Sequence, residues 1–111
     1  MARQTELLNG TLDLLILRSL ETEPRHGLGI AERIEQVTRG TFVVKPGSLF
    51  PALYRLEQQG FIDGEWTTSP AGRRAKAYRL TTSGKRQLAA EKKEWARIAT
   101  AVGLMLGEQG A

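Results

Sequence analysis

Six basic side chains, Arg73, Arg74, Lys76, Arg79, Lys85 and Arg86, fall within residues 67–90, a stretch with no Asp or Glu. Clustered guanidinium and ammonium groups suit one chemistry above others: neutralising the phosphates of a polyanion and releasing its counterions. A basic cluster can equally be a solvated face. Its concentration is what makes it informative. Residues 1–66 carry 7 basic and 9 acidic side chains, a balance of −2, and residues 91–111 carry 3 of each. The formal net charge of +4 on this 111-residue chain therefore arises entirely in the one stretch.

Other chemistries lack the residues they need. There is no cysteine, so disulfides, thiolate nucleophiles and Cys-ligated metal centres are excluded. The single histidine, His26, cannot build a multi-His metal site. No cofactor is expected. Glu57, Asp63 and Glu65 lie near one another in sequence, but carboxylates around a hairpin are more simply solvated. Without a second His, a Cys or a Gly-rich phosphate loop, an enzyme is not expected. The N-terminus is polar through Glu6, and the apolar run Leu14–Leu17 is too short to span a bilayer. No signal peptide is visible, and a cytoplasmic location is expected.

The elements that must position the basic stretch follow from periodicity. Leu12, Leu15, Ile16 and Leu20 recur at helical spacing, with Leu14 and Leu17 added, which predicts a central helix over 10–21. A second helix is predicted over 28–39, with Ile30, Ile34 and Val37 inward and Gly40 as its stop. Between them Pro24 to Gly27 reads as a connection. Thr41-Phe42-Val43-Val44 is β-branched and aromatic and reads as a short strand. A third helix follows from Pro46 or Ser48 to Gly60, with the stripe Leu49, Leu53, Leu56. Pro51 costs a ladder bond if the helix starts at Pro46 and is harmless if it starts at Ser48.

Residues 61–67 and 75–80 read as two strands around the turn Thr68-Ser69-Pro70-Ala71-Gly72. Trp66, Tyr78 and Leu80 are expected to close the core. The last helix is predicted from about Thr82 to Leu106, capped by Thr81. Leu88, Trp95 and Val102 recur every seven residues, with Ile98 and Met105 three after the last two, which marks a dimer seam.

Three helices followed by a basic hairpin and a long helix describe a mainly α fold with a small β-hairpin, a winged helix-turn-helix. Residues 1–80 form the DNA-binding head and 81–111 the dimerisation helix on this reading. A helix fits the major groove, and an Arg-bearing hairpin reaches the minor groove or phosphates. The third helix offers Lys45, Ser48, Leu49, Phe50, Tyr54 and Arg55 as contacts, and the hairpin offers Arg73, Arg74 and Lys76. Ser48 suits a phosphate at the helix start, and Phe50 a thymine methyl or sugar. Core packing is the simpler role for Leu49, and an amphipathic surface position for Tyr54.

Four stretches together resemble the PadR family of bacterial transcriptional regulators: Leu8 to Leu17 (LNGTLDLLIL), His26 to Ile30 (HGLGI), Gly47 to Glu57 (GSLFPALYRLE) and Tyr78 to Gly84 (YRLTTSG). The likeness covers about residues 7–107. It implies a cytoplasmic winged-helix repressor on an inverted-repeat operator of double-stranded DNA. It implies a homodimer joined through the first and last helices, in some relatives answering small aromatic molecules at the interface. Two positions depart from the family pattern. Phe50 stands where Tyr is usual, removing a hydroxyl, and Leu28 stands where Tyr is common, which reads as a local packing change.

Some residues keep two readings. His26 could change charge near neutrality, though a structural hydrogen bond in a turn is simpler. Trp95 is most simply an interface anchor; as a flat indole near Leu15 it could also stack an aromatic effector. The competing function is a winged-helix module that docks an acidic protein or RNA.

Overall fold

The computed structural model describes residues 9–107. Leu8 and the polar residues before it, like Glu108 onward, lie outside the described residues. The elements are α1 (Asn9–Ser19), β1 (Arg25–His26), α2 (Gly27–Val37), α3 (Pro46–Gln58), β2 (Ile62–Thr68), β3 (Arg74–Leu80) and α4 (Thr82–Leu106). Helices α1, α2 and α3 pack as a trio, and an antiparallel sheet of order β1-β3-β2 closes one side.

The apolar stripes read from sequence meet in one core. Ile16, Leu17, Ile30, Leu49, Leu53, Leu56, Ile62 and Leu88 are its largest fully buried side chains. Truncating a leucine among them to alanine typically costs about 2–5 kcal/mol. Leu88 belongs here, not on an outer seam. The first two turns of α4 lie against the head, which turns Leu88 inward before the helix departs.

Several expectations are corrected. Thr41–Val44 is not a strand: Val44 is buried and Phe42 half-buried, but both pack from a loop. The third strand is β1, whose Arg25 and His26 pair with Tyr78 and Ala77. Val37, the last residue of α2, is exposed at the edge of an open groove between α1 and α2. Leu28 is also exposed, so its change from Tyr fills no core space.

Two glycines allow close approaches. A Cβ on Gly27, at the start of α2, would sit 2.9 Å from Phe50 Cε1, so the His-Gly pair lets α3 lie close to α2. A Cβ on Gly84 would collide with the Phe61 carbonyl oxygen. That contact brings α4 onto the loop before β2. Thr81 caps α4 as expected: its hydroxyl accepts from Gly84 N at 2.9 Å and donates to Gly60 O at 2.7 Å. Gly107 ends α4 with φ +78°.

Candidate nucleic-acid interface

Helix α3 starts at Pro46, with Lys45 as an extended N-cap. Pro51 therefore lies inside the helix and removes one ladder bond, to the carbonyl of exposed Gly47. The helical period sorts the side chains. Leu49, Ala52, Leu53 and Leu56 point into the core, while Ser48, Phe50, Pro51, Tyr54 and Gln58 face solvent. Leu49 is wholly buried, so a nucleic-acid contact through it is ruled out, and its role is packing. Phe50 is half-exposed, one edge resting on Gly27, and Tyr54 is 66% exposed.

The cation of α3 is already engaged. The Arg55 guanidinium pairs with the Asp13 carboxylate of α1, tying α3 to the first helix. Burial raises the Asp13 pKa above the usual carboxylate value, and Arg55 opposes that shift. Lys76 is engaged as well. Its Nζ lies 3.0 Å from Glu57 Oε1, and Glu57 Oε2 accepts from Gly64 N at 3.3 Å. The hydrogen bond that Lys76 donates to the Glu57 carboxylate raises the Lys76 pKa. Glu57 thus fastens the hairpin to α3, and Asp63 pairs with Arg79 at 3.1 Å on the hairpin's other face. Two of the three carboxylates considered above for catalysis have these ordinary ion-pairing roles.

The hairpin tip leaves its two arginines outward. Ser69 N donates to Arg73 O at 2.7 Å, Arg73 N donates to Ser69 Oγ at 3.2 Å, and Gly72 supplies the φ of +80° that closes the turn. Arg73 and Arg74 are exposed, and neither forms an ion pair among the described residues. Arg74 instead stacks on Trp66, its Cζ 5.0 Å from the ring centroid, with Lys76 Nζ at 5.7 Å from the same ring.

Trp66 was expected in the core, yet it is 57% exposed. Alternation along β2 places it on the same face as buried Ile62, but the seven-residue strand runs past the end of the helical trio. The ring becomes a platform for the hairpin cations. The signal that could have found it is its pairing register: Trp66 stands opposite Lys76, within a run of basic residues.

Past Leu88, α4 carries Trp95, Ile98, Val102 and Met105 exposed, together with Leu104 and Leu106. Leu15 lines a groove of about 100 Å³ between α1 and α2, and Trp95 is not among the residues around it. That volume is below the roughly 300 Å³ of a site for a drug-sized molecule. His26 Nε2 is buried without a hydrogen-bond partner among the described residues, so the structural bond expected there is not made by that atom within them.

The family model described as the transcriptional regulator PadR-like family matches residues 16–90. The chain belongs to the PadR-like family of transcriptional regulators. The match takes in α2, α3, the hairpin and the first turns of α4. A PadR-like transcriptional regulator from Bacillus cereus is 28% identical, with a TM-score of 0.78 over 96% of this chain and 100% of its own. A PadR family transcription regulator from Clostridium difficile is 33% identical, with a TM-score of 0.73 over 86% of this chain and 97% of its own. Uncharacterized protein X of Lysinibacillus sphaericus is 30% identical over 93% of this chain and 94% of its length.

As a PadR-like protein the chain is a DNA-binding regulator, in a family that is generally non-enzymatic. Among the described residues no helix is long and apolar enough to cross a membrane.

Proposed function

We propose that this PadR-like chain is a cytoplasmic repressor acting as a homodimer on an inverted-repeat operator. Residues 1–80 are the reading head, and 81–111 supply the dimerisation helix, of which the first two turns also serve the head. The carrying observation is the face of α4: Trp95, Ile98, Val102 and Met105 follow one another at heptad-like steps and are all at least 40% exposed. An apolar stripe of that length on a lone protomer marks an interface. A two-fold axis there presents two α3 helices and two hairpins, which is what an inverted repeat requires.

Within each head, Ser48 at the start of α3 binds phosphate, Phe50 and Tyr54 enter the groove, and Lys45, Arg73 and Arg74 neutralise the backbone. Arg55 and Lys76 hold α3 and the hairpin in register. The reading includes a small aromatic effector stacked on Trp95 at the interface; the exposed indole is what supports it.

The test is sedimentation and gel-shift of Trp95→Glu. A monomer with much weaker operator binding is expected. A variant that remains dimeric would move the interface off this face.

A further inference from the structure

The solvent face of α3 is unusual for a helix that reads bases. Its first two and a half turns expose Pro46, Gly47, Ser48, Phe50, Pro51 and Tyr54, among which only Ser48 and the Tyr54 hydroxyl are polar. The usual means of reading a base edge is a bidentate Arg, Lys, Asn or Gln. Arg55 is the helix's only basic side chain, and Asp13 holds it against α1. Gln58 is exposed but is the last residue of the helix, two turns beyond Phe50, whereas groove-reading helices use their N-terminal part.

What this face does present is two aromatic rings four residues apart, which sit one above the other on a helix. They lie on the helix that Glu57 fastens to the hairpin, whose exposed arginines fit a phosphate backbone. The one apolar feature on a base edge in the major groove is the thymine 5-methyl group.

We propose that Phe50 and Tyr54 read thymine 5-methyl groups, and that the half-site is recognised by apolar contact with these methyls in place of bidentate hydrogen bonds from α3. The inference rests on the operator reading above. It assigns the specificity to the rings and leaves affinity to the hairpin. Phe50 suits the role because its edge rests on Gly27, whose missing Cβ lets the ring seat there and fixes its direction. As a phenylalanine the position is wholly apolar.

The probe is a duplex carrying the inverted repeat recovered by selection from a random pool, synthesised with thymine and again with deoxyuridine at single positions. Deoxyuridine removes the methyl and leaves the hydrogen-bonding edge intact. At each contacted position the wild-type protein should lose about four-fold in affinity, the fold-change for about 0.8 kcal/mol per buried methylene-sized group. Tyr54→Ser and Phe50→Ser should each shrink the thymine–deoxyuridine difference at one position to less than two-fold, while the cooperative thermal transition is kept. Tyr54 is 66% and Phe50 45% exposed, so both variants are expected to fold.

Equal binding of the thymine and deoxyuridine duplexes would overturn the proposal while leaving DNA binding intact. So would a thymine preference unaltered by either variant. Failure of any duplex to bind at low salt would instead remove the operator reading on which the proposal stands.

Discussion

The Arg55 guanidinium is committed to Asp13, joining α3 to α1 across the helical trio. The pair braces α3 against α1, and we propose that Arg55 acts as this brace rather than as a phosphate contact. Arg55→Ala should lower stability by about 1 kcal/mol, the upper end for an exposed ion pair, since the pair is only part-exposed. It should leave unchanged the slope of log affinity against log salt. Chemical denaturation and salt titration check the two halves. A flatter slope would place Arg55 on a phosphate.

Gly84 is where α4 meets the loop before β2. Gly84→Ala should cost about 2–3 kcal/mol, because its Cβ would meet a backbone carbonyl that cannot move without shifting the chain. Gly10→Ala is the contrast. It is the second residue of α1 with nothing among the described residues inside 4 Å, so it should gain up to about 0.5 kcal/mol from helix propensity. Melting curves of the two variants should move in opposite directions.

The Tyr78 phenol should lose its proton above the ordinary value of 10.0, chiefly because burial disfavours the phenolate. A folded pKa raised above the unfolded one means stability fully present below pH 10.0 and lost as pH rises through the folded value. Tyr54→Phe leaves Tyr78 as the only tyrosine. Ultraviolet titration of that variant should give a single step above 10.0, coinciding with the onset of alkaline unfolding.

The hairpin tip carries the free charge. Arg73→Ala combined with Arg74→Ala should weaken binding to specific and random duplex alike and flatten the salt slope by about one to two units per head. The same change strips Trp66 of its stacked guanidinium, so Trp66 fluorescence, read in a Trp95→Phe background, should change even without DNA. Unaltered duplex affinity would take the hairpin out of the contact set.

Which features could be read from sequence depended on how local their causes are. Helix α4 and its Thr81 cap follow from spacing and a short-range hydrogen bond. The core faces of α1 and α3 follow from leucine periodicity, and the basic hairpin from its turn residues. β1 could not be foreseen, because Arg25 and His26 are a strand only by pairing with residues some fifty positions later. Thr41–Val44 has strand-like composition because Val44 and Phe42 fill the core, and burial selects the same residue types in a loop. Leu88 fits the heptad count with Trp95 and Val102, yet spacing along one helix does not say where that helix leaves the head. At the candidate interface, residue type named the cations but not their partners. Asp13 lies 42 positions from Arg55 and Glu57 lies 19 from Lys76, so only the folded chain separates the two braces from the two free arginines.

We propose that two heads, joined through α4, read a DNA inverted repeat. Selection of bound duplexes from a random pool by the full chain tests it most directly. The expected result is an inverted repeat whose half-site centres lie about one helical turn, roughly 10 base pairs, or a multiple of it apart. Recovery of a lone half-site, or of no common sequence at all, would contradict it.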